Sequence, residues 1–176
     1  IFNNILIEKG NIVYNKFKFN NHIGDITKDI RWTWAINSAS KRLFENCVRP
    51  LKDKINSHFK NEFELYGASF ITLYSEEVKN SEFHIDVNSF YDNENTNILT
   101  LIFPLYIEED MGGLEFMIDE EKNTYKYNKG KVFIWDACKL LHRTEPYNLT
   151  KKNKRVLVSI NLVSKEQWAI DSITNT

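Results

Sequence analysis

A mainly β protein of the jelly-roll type, with helices braced against one sheet, is the fold class this sequence predicts. Three observations predict it. Beyond Gly67 the apolar residues follow short strand-like runs almost to the end of the chain. Before Gly67 lies one long stretch with helical spacing, enough for a single supporting layer. Between the strand-like runs stand clusters of Gly, Asn and Asp, as in "YDNENTN" (91–97), "EEDMGG" (108–113) and "YNKG" (127–130). Many short strands after one helical layer make a sandwich or barrel.

The elements follow in order. Residues 1–36 hold short alternating pieces, among them Ile5-Leu6-Ile7 and Lys16-Phe17-Lys18-Phe19, and then Trp32 and Trp34, which are expected to pack between helix and sheet. From Ile36 the period changes: Ala39, Leu43, Cys47, Val48, Leu51, Ile55 and Phe59 recur at three- and four-residue steps, with lysines, Arg42 and Glu45 on the other face. Pro50 must kink this helix or split it. Strands are then expected at 68–74, 82–88, 97–106, 113–118, 123–127, 131–135, 139–145 and 154–163. The whole chain, 1–176, reads as one domain, with 1–66 as supporting strands and helix, 67–163 as the core and 164–176 as a tail.

Composition narrows the function classes. The chain has 176 residues, 42% hydrophobic and 14% aromatic, which is globular composition. With 23 basic and 24 acidic residues the formal charge is −1, so nothing draws it toward nucleic acid or anionic lipid. Cys47 and Cys138 stand far apart and read as reduced thiols. No apolar run is long enough to span a bilayer, and no secretory leader is evident; a cytoplasmic protein is expected, Ile1 marking a trimmed chain. The sequon at Asn148-Leu149-Thr150 is then a chance match.

The chemistry starts at "EFHIDVN" (82–88). In a strand, His84 and Asp86 share one face. Alone, such a pair is a surface hydrogen bond, a catalytic dyad or two-thirds of a metal site. A third ligand must come from elsewhere, and the sequence has 4 histidines. His22 lies in the irregular N-terminal part and His58 at a helix end, which leaves His142 in "KLLHRTEPY" (139–147). If the polar segment 147–153 turns a hairpin near 148–149, Arg155 falls opposite His142. Two histidines and a carboxylate leave one face of Fe(II) open to a bidentate ligand and O2. An arginine beside that face can hold a distal carboxylate. A molecule with a chelating keto acid at one end and a carboxylate at the other satisfies both: 2-oxoglutarate.

In these residues the chain resembles the Fe(II)/2-oxoglutarate-dependent dioxygenases, particularly their prolyl-hydroxylase-like branch. The resemblance runs from about Ala68 to Val163 and rests on His84-x-Asp86, His142 and Arg155. "GGLEF" (112–116) and "GKVFIWDACKLLHRTEP" (130–146) look like the family's Gly-Gly segment and its strand to the second histidine. It implies a double-stranded β-helix in which His84, Asp86 and His142 ligate iron and Arg155 binds the C5 carboxylate of 2-oxoglutarate. It implies hydroxylation of an unactivated C–H bond, in a peptide prolyl residue or a small metabolite such as a free amino acid, with release of succinate and CO2. Many relatives carry a serine two residues after the arginine, where Leu157 stands here; Tyr74 is the expected second contact. Asp86 distinguishes the chain from halogenase variants that lose the carboxylate.

Other residues carry blander expectations. Trp135 ends an apolar run and is expected in the core, Asp136 begins a turn, and the Asn-rich loop 88–97 is a candidate lid. Two other functions use the same scaffold. A cupin-like metal-binding jelly roll has no need of Arg155. A nucleic-acid demethylase is expected to carry a second arginine, which "RVLVSINLV" (155–163) lacks.

Overall fold

The computed structural model describes residues 17–23, 29–79, 81–88, 95–108 and 111–174. Ile5-Leu6-Ile7 and most of the 88–97 loop lie outside them. Nine strands form two antiparallel sheets among these residues. The large sheet contains β1 (Phe19–Ile23), β2 (Ile30–Ala35), β3 (Phe63–Val78), β4 (Ile98–Ile107), β7 (Phe133–Asp136) and β9 (Tyr147–Ser164), in the order β1-β2-β3-β9-β4-β7. The small sheet is β6-β5-β8, from Glu121–Tyr125, Leu114–Ile118 and His142–Thr144. The jelly-roll expectation holds.

The helical stretch divides where Pro50 requires it. Helix α1 (Ser38–Val48) passes through a 3-10 turn at Arg49–Leu51 into α2 (Lys52–Phe59). Asn37 opens α1 by accepting from the Ser40 amide at 2.9 Å, and Ser40 Oγ in turn accepts from the Asn37 amide at 3.2 Å. The expected tail holds a further helix, α3 (Gln167–Thr174), with Ala169 buried against the sheet end.

Alternation along β3 and β9 decides what each face of the large sheet does. Ala68, Phe70, Val158, Ile160 and Leu162 face α1 and α2, where they meet Leu43, Phe44, Val48 and Ile55. Residues of the opposite parity, Ile71, Leu157, Ser159 and Asn161, face the small sheet and line a cavity. One side of the sheet is thus a helix-backed core and the other the wall of a site.

Three strand expectations need correction. Residues 82–88 are not a strand; His84 alone pairs, in an isolated bridge with His142. The segment 147–153 is not a hairpin turn. It is extended, and β9 pairs with β3 from Tyr147 onward, around a bulge between Ser75 and Glu77. β8 consequently pairs with β5 and β9 with β3 and β4, so His142 and Arg155 stand in different sheets. The chain changes sheet at Glu145-Pro146, where proline has no amide to donate.

The Gly-Gly segment explains itself sterically. Gly112 has φ +66°, and a Cβ on Gly113 would stand 2.1 Å from the Tyr125 carbonyl oxygen. Only glycine lets β5 begin this close to β6.

Phe44 is fully buried, with its ring centroid 4.9 Å from that of Phe70. Phe44→Ala is expected to cost about 3–5 kcal/mol of stability, read as a fall in the urea midpoint; a change below about 1 kcal/mol would show that the helices do not brace this sheet.

Candidate metal and anion site

His84, Asp86 and His142 converge: one ligand atom from each lies within 4.8 Å of the others. The segment 81–88 accomplishes this without being a strand. His84 and His142 exchange two backbone hydrogen bonds of 2.9 Å each, which dock the segment on the free edge of the small sheet. Arg143 strengthens the docking. Its Nε donates to Glu115 Oε2 at 2.7 Å, its Nη1 to the Ser81 carbonyl at 3.2 Å, and its guanidinium lies 4.5 Å from the Phe83 ring.

Each ligand is oriented by what its other polar atom does. His84 Nδ1 donates to the Glu82 carbonyl at 3.1 Å and His142 Nδ1 to the Leu140 carbonyl at 3.0 Å. Both rings therefore present the Nε2 lone pair. Asp86 Oδ2 accepts from Thr100 Oγ1 at 2.6 Å and from the Trp135 indole N–H at 3.0 Å, both in the large sheet. Oδ1 is left facing His142 Nε2 at 3.4 Å. Burial pushes the Asp86 carboxyl up, but the hydrogen bonds and charge of His142 and the Thr100 hydroxyl outweigh it, and the group stays below the usual carboxylate range. Burial pushes His142 down, and Asp86 more than offsets it, raising the imidazole. The gap between Oδ1 and Nε2 favours a positive charge, and two nitrogens and an oxygen at this spacing can hold a divalent metal.

Arg155 reaches the same cavity, of about 560 Å³, from the opposite sheet. It is 3% exposed. Its Nη1 donates to the carbonyls of Met111 and Gly112 at 3.0 and 3.3 Å, so the Gly-Gly segment helps hold it. Its Nε is buried with no partner, and no carboxylate pairs with it among the described residues. A buried guanidinium without a counter-charge is costly. Here that charge faces a cavity sized for a small molecule, so an entering anion would satisfy it.

Tyr74 is not brought to this site. Its neighbour Leu73 is the residue opposite Arg155, so Tyr74 projects from the other face, 53% exposed, with Lys152 Nζ 5.8 Å from its ring. Tyr127 does stand beside Arg155: it is buried, lines the cavity and lies 5.2 Å from the guanidinium. Trp32 and Trp34, expected in packing, line the cavity as well. Trp135 is in the core as expected, and its indole N–H has the added task at Asp86. Asp136 ends β7 and accepts from the Cys138 amide at 2.9 Å, as a turn residue does. Thr100, Asn161 and Tyr127 are functional candidates that the sequence reading does not single out. The first two carry a signal, each a polar residue set among apolar ones in a strand, "ILTLIF" (98–103) and "VSINLV" (158–163).

No protein-family model matches the sequence, and no curated protein matches it. Solved structures do match. A prolyl hydroxylase from Trichoplax adhaerens, in complex with a hypoxia inducible factor peptide fragment, is 12% identical, with a TM-score of 0.65 over 98% of this chain and 80% of that one. The chain shares the fold of the 2-oxoglutarate/Fe(II) oxygenases. An oxidoreductase of that family from Burkholderia pseudomallei matches at 10% identity and TM-score 0.62, over 88% of this chain and 79% of its own. HygX from Streptomyces hygroscopicus, with nickel and 2-oxoglutarate bound, matches at 11% and 0.58, over 84% and 74%. No helix among the described residues is long and apolar enough to cross a membrane.

Thr100→Val and Trp135→Phe each remove one donor from Asp86 Oδ2. Each is expected to weaken divalent-metal binding by about 10- to 100-fold, measured by titration with Ni2+. Wild-type affinity in both would show that the carboxylate needs no such support.

Proposed function

We propose that the protein is a 2-oxoglutarate- and Fe(II)-dependent dioxygenase that hydroxylates a C–H bond. The observation that supports this reading most is the meeting, in one cavity, of a His–Asp–His cluster with its Nε2 and Oδ1 atoms free and a buried arginine with an unmet donor. A metal site alone has no use for that arginine. The shared fold supports the same reading.

His84, Asp86 and His142 would hold Fe(II). Arg155 would take the distal carboxylate of 2-oxoglutarate through charge-assisted hydrogen bonds. Tyr127, in place of Tyr74, lines the wall beside that carboxylate. Ile71, Ile102, Leu114 and Leu157 keep the middle of the cavity apolar and limit water. When bound, iron and 2-oxoglutarate supply the oxidation: one atom of O2 enters the substrate C–H bond as hydroxyl, the other enters succinate, and CO2 leaves. Thr100 and Trp135 keep Asp86 correctly turned throughout. Prolyl hydroxylases share the fold, so a prolyl residue in a peptide is one substrate class and a free amino acid the other.

The test is an anaerobic titration with Fe(II) and then 2-oxoglutarate, following the weak visible charge-transfer band of the chelate. The band is expected in the wild type and absent in His142→Ala. Arg155→Gln is expected to bind Fe(II) as before but to need at least about 30-fold more 2-oxoglutarate. Iron binding without any band would overturn the reading and leave a simple metal-binding jelly roll.

A further inference from the structure

The cavity runs along β9 from Arg155 to Asn161, and at the Asn161 end its wall has a chemistry of its own. Trp34, Tyr66, Gly67, Asn161 and Lys41 form it. Lys41 comes from the first turn of α1 and is half-buried. Tyr66 is the extra residue of a bulge, since Leu65 pairs with Leu162 and Gly67 with Asn161. Lys41 Nζ donates to the Tyr66 carbonyl at 2.7 Å and stands 5.5 Å from its ring. That uses one of three ammonium hydrogens. No carboxylate among the described residues pairs with this charge.

Beside it stands an acceptor. The Thr100 hydroxyl gives its one hydrogen to Asp86, at 2.6 Å, so toward Asn161 Nδ2, 3.2 Å away, it can only accept. This sets the amide orientation and leaves Asn161 Oδ1 as the free end. That oxygen accepts no hydrogen bond among the described residues. A Cβ at position 67 would lie 3.2 Å from Oδ1 and 3.7 Å from the Trp34 ring. Gly67 keeps the space before the oxygen open.

We propose that this end of the cavity recognises the α-carboxylate of the substrate on Lys41 and its α-amino group on Asn161 Oδ1, so that the substrate is a small free amino acid. The assignment rests on the oxygenase reading above. A cation and a neutral acceptor side by side match a zwitterion, whose two charged groups sit on one carbon. Holding both at that carbon frees the side chain to extend toward Asp86, which Thr100 links to Asn161 through two hydrogen bonds. Trp34 and Tyr66 flank the apolar body. A residue inside a peptide has neither free group and leaves Lys41 unmatched.

The protein loaded with Fe(II) and 2-oxoglutarate is assayed for succinate release with each standard free L-amino acid, and each active one is compared with its carboxamide. At least one amino acid is expected to stimulate release, and its carboxamide to require about 10- to 100-fold more for the same rate. Lys41→Met should raise KM for the acid by a similar factor with the anaerobic chelate band intact, and Lys41→Arg should recover most of it. If the band forms but no free amino acid stimulates release, the subsite assignment is wrong while the oxygenase reading stands. The subsite assignment is equally overturned if the carboxamide matches the acid, or if Lys41→Met behaves as wild type. If the wild type gives no band, both fall together.

Discussion

His84 and His142 are joined by two backbone hydrogen bonds of 2.9 Å, and the site depends on that junction. The pair fastens a non-strand segment to the edge of the small sheet. Two residues further on, Asp86 is gripped by Thr100 and Trp135 of the large sheet. A short piece of chain therefore bridges both layers, and the ligand atoms are held at the bridge. Because that piece is bonded to both sheets, the spacing of the three ligands follows from how the sandwich closes.

The buried charges follow a consistent plan. Glu115 compensates Arg143 and Lys122, and those pairs stand on the small sheet beside the triad. Arg155 and Lys41 have no such partners among the described residues, and both face the cavity. Residues that break the rule of paired buried charge belong, in general, to sites where a ligand completes the pairing. The cavity that holds the His–Asp–His cluster is lined by both cations. Two anionic groups can thus be met in one cavity. Cys138, by contrast, is pushed up to about 11 by burial and the neighbouring Asp136 carboxylate, which keeps the thiol protonated.

The differences between sequence expectation and structure have a common cause. Alternation within 82–88 predicts a strand, but only His84 finds a partner. Arg155 does reach the cavity that His142 lines, though not through a hairpin: it arrives across the sandwich from the other sheet. The polar run 147–153 has the composition of a turn, yet it is extended because the long β3 offers it an edge to pair with. Tyr74 departs from expectation for the same kind of reason. Its distance from His84 along the chain suits a contact, but the register that sets Leu73 opposite Arg155 turns Tyr74 outward.

The sequence by itself determined the jelly-roll class and the break at Pro50, and it pointed to His84, Asp86, His142 and Arg155 as the candidate site. Periodicity, proline and rare side chains are local properties, and local properties survive in a string of letters. Only the tertiary structure decided which oxygen of Asp86 is free, that Tyr127 and not Tyr74 stands beside Arg155, and that Lys41 and Asn161 share the end of one cavity. Those facts depend on sheet register, on the Leu65/Gly67 bulge and on hydrogen bonds between residues far apart in the chain. Each is fixed when two layers close on one another, and no segment carries it alone.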